Sequence, residues 1–299
     1  MCLLTIFSAP KPFADPHIAT IQRNALRSWT LLPEAEVFLV GEEAGLAEAA
    51  RELGVRHLPQ VARNGEGTPL VSSIFSLARA ASSAPLLVYV NADILLLPGL
   101  VEGARQVSSR EKRFLIVGRR WDLEVSRPLD FSGEWAMRLE AETRARGELH
   151  RPLGSDYFIF PRDCFAEMPA FAIGRAGWDN WMIYKSRAEG WATVDASDSI
   201  MVIHQNHDYS HLPGGQPHYR LPETYENIRL AGGREMTRFT LLDADWRLVD
   251  GRLRRPAWTG ARFIRWLETF PLLAWGNYWL AEHAAYAVRL VRLKLGLET

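Results

Sequence analysis

The chain has 299 residues, 47% apolar and 23% charged, enough to bury a large core and too varied for a repeat array. Lys and Arg together number 35, as do Asp and Glu, so no overall field recruits nucleic acid, and an anionic ligand has to be gripped by a local site. Cys2 and Cys164 supply neither a disulfide framework nor a set of thiolate ligands and suit a reducing compartment, and no uncharged apolar run of roughly 18 residues predicts a spanning helix.

Met1 to Pro10 lacks a basic n-region and a small-residue cleavage site, and reads as a first strand, Leu3 to Phe7, rather than a signal peptide. It is broken by Ser8, Ala9, Pro10, Lys11 and Pro12. His17 to Leu31 has helical spacing, with Ile18, Ile21, Ala25, Leu26 and Trp29 on one side. Glu36 to Val40 is a second strand, Ala44 to Leu53 a second helix closed by Gly54, and Val55 to Leu58 a short third strand. Thr68 before Pro69 predicts an N-cap with proline in the first turn, opening a helix to Ala81. Leu86 to Val90 is the most apolar strand, followed at once by Asn91, Ala92 and Asp93. This alternation predicts an α/β chain with a mixed, mostly parallel sheet flanked by helices.

Ligands in such sheets bind beyond the carboxyl ends of the strands, which is where Asp93 falls. A carboxylate there suits a divalent cation that neutralises phosphate oxygens, and Asn91 faces the same way if the strand continues, because side chains alternate. The plain alternative is an Asx turn ending the strand. Phe114 to Val117 is a further strand, after which Arg119 and Asp122 are placed to clamp phosphate and hydroxyl groups or to form surface ion pairs. Phe131 to Arg146 is a charged helix, and Asp156 precedes a strand, Tyr157 to Phe160, as another candidate carboxylate.

Trp178 to Glu189 is helical. Asp179 sits at its start, where an anion is stabilised, so it reads as a base, a nucleophile or a hydroxyl acceptor, or else as an N-cap. Trp178 and Trp181 suit sugar stacking or core packing. From His204 to His211 three histidines and Asp208 cluster behind a β-type run. His204, nearest the strand, is the first choice as a cation ligand, with His207 and Asp208 next for the cation or the diphosphate. The other reading is a solvated loop.

Taken together, the first strand with Ser8 to Lys11, the strand ending in Asn91, Ala92 and Asp93, and the helix opening at Trp178, Asp179 and Asn180 resemble the nucleotide-diphospho-sugar transferases of GT-A fold over Leu3 to Tyr209. The resemblance implies a GT-A-like, Rossmann-type catalytic domain over residues 1–255 with a helical appendage at 256–299. It implies that Asp93 is the last carboxylate of the family's metal- and diphosphate-binding motif, that His204 completes the metal site, and that Asp179 is the acceptor-side base; Asp156 stands beside these as a second catalytic candidate on its own position at a strand start. Ser8, Ala9, Pro10 and Lys11 then fall where base and ribose bind, and Asn91, Asp93, Arg119 and His207 near the diphosphate. Asn91 stands where the family has its first Asp, which implies either a weaker Mn²⁺ or Mg²⁺ site or a metal-independent one.

The function expected is transfer of a sugar from a nucleotide donor to a glycan or lipid-linked acceptor, in building a bacterial-type surface polysaccharide, in the cytoplasm. The rivals are a sugar nucleotidyltransferase, which should carry a Gly-rich loop that Ser8 to Lys11 lacks, and a non-catalytic sugar-binding scaffold. Trp258 to Leu297 interleaves Trp, Phe and Leu with Arg262, Arg265, Arg289, Arg292 and Lys294. It reads either as helices at the inner face of a membrane or as a pair packed on the domain or at a dimer contact.

Overall fold

The computed structural model describes residues 2–207 and 221–294, with side chains described up to residue 290. The opening half alternates as the periodicity predicts: β1 (Leu4–Ser8), α1 (Pro16–Thr30), β2 (Ala35–Val40), α2 (Leu46–Leu53), β3 (Arg56–Leu58), α3 (Val71–Ala81) and β4 (Leu86–Val90). After it come β5 (Ile94–Leu96), α4 (Gly99–Ser108), β6 (Phe114–Val117), β7 (Trp121–Leu123), α5 (Trp135–Arg146), β8 (Glu148–Leu149) and β9 (Tyr157–Pro161). The remainder is α6 (Trp178–Ala188), β10 (Ala192–Asp195), β11 (Val202–Gln205), α7 (Pro222–Leu230), β12 (Trp246–Val249), β13 (Arg252–Arg254), α8 (Gly260–Trp275) and α9 (Tyr278–Lys294).

Among the described residues, nine strands form the main sheet in the order β13-β12-β10-β6-β9-β4-β1-β2-β3. β3, β2, β1 and β4 run parallel, as do β6, β10 and β12, and β9 is inserted antiparallel between β4 and β6. This is the mixed, mostly parallel arrangement that the sequence predicts. β1, β4, β6 and β9 are buried at every position, which is why they read as continuous apolar runs. Each large side chain so buried contributes roughly 1.5–3 kcal/mol. One side of the sheet packs on α1 and α4 through Ile6, Leu26, Trp29 and Leu100, the other on α3 and α6 through Phe7, Phe75, Trp178 and Met182.

A second, four-stranded sheet, β5-β11-β7-β8, leans on the ends of the first. β4 stops at Val90, residues 91–93 turn, with Ile94 N–H donating to the Asn91 carbonyl, and β5 then leaves for the second sheet. The strand therefore does not continue through Asn91 and Asp93. The N-cap expected at Thr68 is not formed either: α3 begins at Val71 with Leu70 as its cap. Asn64 Oδ1 accepts from the backbone N–H of Thr68 and of Glu66, closing a loop that holds Thr68 in place before the extended Pro69 and Leu70.

Candidate active site

A cleft of about 470 Å³ opens where the loops after β1 and β4, the entry to β9 and the start of α6 meet. Among the predicted residues Ala9, Lys11, Asn91, Asp93, Asp156, Asp179, His204 and His207 border it. Its position beyond the carboxyl ends of β1 and β4 is the one that parallel sheets offer to ligands.

Asp93 is the centre of one end. Its Oδ2 lies 3.1 Å from His207 Nε2 and 3.6 Å from Lys11 Nζ, and Lys11 Nζ is 3.1 Å from His207 Nε2. Burial works against the Asp93 anion, but the His207 hydrogen bond and the charge of Lys11 outweigh it and hold the carboxyl well below its usual range. Its other oxygen, Oδ1, is buried without a hydrogen-bond partner among the described residues. Ligand atoms of Asp93, His204 and His207 all come within 4.8 Å of one another. An orphaned carboxylate oxygen beside two imidazoles fits a divalent cation. Because Mg²⁺ prefers oxygen ligands, this donor set suits Mn²⁺ better.

His204 is oriented from behind. Asp122 Oδ1 is 3.0 Å from His204 Nδ1 and Oδ2 is 2.7 Å from His150 Nδ1, while Arg120 Nε donates to Asp122 Oδ1 at 2.8 Å. A carboxylate on Nδ1 leaves Nε2 of His204 as the atom available to a ligand. Burial opposes the Asp122 anion, yet the His204 hydrogen bond and the Arg120 charge keep its pKa depressed. The same guanidinium reaches Asp156, with Nη1 to Oδ1 and Oδ2 at 3.0 and 2.9 Å, and Asn91 Nδ2 donates to Asp156 Oδ1 at 2.9 Å. Arg120 thus ties the metal-side carboxylate to the opposite wall.

Asp179 lies in the first turn of α6, whose cap is Gly177 in the left-handed region, at φ 108. It is therefore not the N-cap. Burial pushes its carboxyl up to about 6, helped by the charge of Asp156, although the N–H groups of Asn180 and Gly177 favour the anion. The helix terminus does not keep this carboxylate strongly acidic, as its position alone suggested; desolvation is the larger effect. Trp178 stands edge-on to Tyr89 at 5.1 Å and beside Phe158 at 5.5 Å while also bordering the cleft, and Trp181 packs on Phe171 in the core.

No protein-family model matches the chain, and no curated protein matches it. Among solved structures, it is similar to glucosyl-3-phosphoglycerate synthase from Mycobacterium tuberculosis in complex with Mg²⁺ and uridine diphosphate, at 16% identity and TM-score 0.47, covering 86% of this chain and 87% of that one. It is also similar to S. aureus TarS 1-349 in complex with UDP-GlcNAc, at 11% identity and TM-score 0.49, covering 77% and 65%. At such values the cleft's own chemistry has to carry the reading of function.

Ser8, Pro10, Arg119 and Asp122 do not line the cleft, Asp122 standing behind His204. Ser8 is fully buried at the end of β1 and Pro10 is buried behind it. Arg119 turns away and donates to the carbonyls of His150 and Leu149, at 2.5 and 3.1 Å, so it braces β8 while its neighbour Arg120 faces the cleft. Successive side chains on an extended segment point to opposite sides, so only one of the two can face in, and the sequence does not say which. Asp208 and His211 lie outside the described residues.

The sequence reading missed Gln22, His150 and Arg175. Gln22 grips both sides of the Lys11 peptide, accepting from its N–H at 2.7 Å and donating to its carbonyl at 2.9 Å. A polar residue amid the buried positions of α1 was the available signal. Arg175 borders the cleft and donates to Glu223 Oε2 at 2.6 Å, an ion pair formed with a helix that the periodicity did not reveal.

Proposed function

We propose that the chain is a GT-A glycosyltransferase that moves a sugar from a nucleotide-diphospho-sugar donor to a glycan or lipid-linked acceptor. One observation carries this: a single cleft holds Lys11, Asp93, His204 and His207 at one end and two further carboxylates, Asp156 and Asp179, on its other walls. Breaking an anomeric bond to diphosphate releases negative charge, which the Lys11 ammonium stabilises. Asp93, His204 and His207 would hold Mn²⁺ or Mg²⁺, and a bound cation would supply Lewis-acid neutralisation of the phosphate oxygens.

The remaining steps belong to the chain's own residues. Ala9 and the Lys11 backbone receive the ribose end of the donor, while the Lys11 ammonium, beside Asp93, meets the diphosphate. Asp156, held in place by Arg120 and oriented by Asn91, accepts hydrogen bonds from sugar hydroxyls. Asp179 is ionised above about pH 6 and is then a base strong enough to take the proton of an acceptor hydroxyl as it attacks. Assembly of a surface polysaccharide from cytoplasmic donors is the setting that fits this chemistry.

A thermal-shift screen against nucleoside diphosphates and nucleotide sugars, each with and without Mn²⁺, tests the reading, because a ligand that binds the folded state raises the melting temperature. A Mn²⁺-dependent shift with one nucleotide, lost in Asp93→Ala, supports a transferase. No shift with any nucleotide favours the non-catalytic scaffold.

A further inference from the structure

We infer that the hairpin of α8 and α9 seats the protein on the surface of an anionic phospholipid bilayer, with a lipid phosphate held in the arginine-lined groove beside it. This inference stands apart from the donor chemistry of the cleft.

Every exposed residue of α8 is uncharged. Phe263, Trp266, Leu267 and Trp275 are the large ones, and the helix's one acid, Glu268, is buried against Arg265 at 2.5 Å. α9 continues the surface with Trp279 at 61% and Tyr286 at 62% exposure, and its described exposed charges are Glu282 and Arg289. Most of the exposed large apolar side chains of the described residues fall within this hairpin and the Trp258 segment that leads into it. A face of this kind buries apolar area in the headgroup region, where Trp and Tyr are at home. No helix of the described residues is long and apolar enough to cross a membrane, so the contact is one of lying on the surface.

Beside the aromatic face is a groove of about 320 Å³ lined by Arg187, Arg255 and Arg262, with Trp258 and Trp266 along it. Its carboxylates are already engaged: Asp243 by Arg265 at 2.9 Å, Asp245 by Arg187 at 2.8 Å and Arg255 at 3.3 Å. Arg187 Nε is buried with no hydrogen-bond partner among the described residues. Arg262 donates to the carbonyls of Leu242 and Ala244 and has no ion-pair partner among the described residues, so the groove lining carries three arginines against Asp243 and Asp245, a cationic excess that suits a phosphodiester. The sequence adds Arg289, Arg292 and Lys294, with no acid between Glu282 and Glu298.

Co-sedimentation of the full chain with phosphatidylcholine vesicles, and with the same vesicles containing phosphatidylglycerol, tests the proposal. Binding is expected to the anionic vesicles, falling roughly tenfold or more in the double variant Trp275→Glu, Trp279→Glu and several-fold in Arg255→Glu. The two tryptophans are exposed, so the double variant should melt with the wild type. Vesicle binding unchanged in the double variant, or none by the wild type, overturns the proposal. So does a dimer in sedimentation velocity that the double variant dissociates while the wild type ignores vesicles.

Discussion

Asn91 Nδ2 donates to Asp156 Oδ1 at 2.9 Å, so the residue two places before Asp93 serves the opposite wall of the cleft rather than the cation site. Tyr89 O–H completes the arrangement by donating to Asn91 Oδ1 at 3.1 Å. Restoring a second acid here should not rebuild a two-carboxylate cation motif. Asn91→Asp is predicted to set two like charges within hydrogen-bond distance and to cost about 1–3 kcal/mol in thermal or urea unfolding, with no gain in Mn²⁺ affinity by calorimetry. Tighter Mn²⁺ binding at unchanged stability would contradict this arrangement.

Asp122 acts through the histidines it holds. Asp122→Ala removes the acceptor that fixes both His204 and His150, and should weaken Mn²⁺ binding about 10- to 100-fold by calorimetry or paramagnetic resonance. Asp122→Glu, which can restore the hydrogen bond to His204 Nδ1, should recover part of the loss. Equal affinities in all three proteins would mean that His204 is not a ligand.

Asp179 predicts opposed effects on stability and activity. Its folded pKa is raised from 3.8 to about 6, so the stability it contributes is full below the unfolded value and is lost as pH rises through about 6. Asp179→Asn should therefore be more stable than the wild type by about 1–3 kcal/mol near pH 8, and equal to it near pH 3. As the proposed base it should also lose about 100-fold or more in kcat, and the wild-type rate should climb with pH to a plateau above about pH 6. A variant that is less stable near pH 8 sinks the burial argument; one that retains full kcat sinks the role as base.

Gln22 makes two hydrogen bonds to the Lys11 backbone. Replacing it by Leu should free the loop that carries the ammonium and raise KM for the donor about tenfold, with a smaller change in kcat. Steady-state kinetics over a donor series separates the two parameters, and an unchanged KM would show that Lys11 is placed without this grip.

β1, β4, β6 and β9 were legible because burial on both faces makes them apolar runs, and β4 led directly to Asp93. α7 and the short β7, β8, β12 and β13 were not, since a strand of two to four half-exposed residues carries no periodicity. The network of the cleft was hidden for another reason. Asp93 and His207 are 114 residues apart, His204 and Asp122 82 apart, and Arg120 and Asp156 36 apart. Such pairs are set by how strands stack, not by spacing along the chain. The aromatic tail was visible as composition, but only the packing of Leu272, Ala281 and Ala285 showed which of its residues face outward.

The central claim, that Asp93 anchors diphosphate chemistry in this cleft, is tested most directly by measuring nucleoside diphosphate released from a panel of nucleotide sugars in the presence of Mn²⁺. Wild type and Asp93→Ala are compared after their melting curves have shown both to be folded. The predicted result is turnover of one donor by the wild type, reduced about 1000-fold or more in the variant, in line with the loss of a preorganised charge partner. Turnover that survives intact in a folded Asp93→Ala protein would contradict the account.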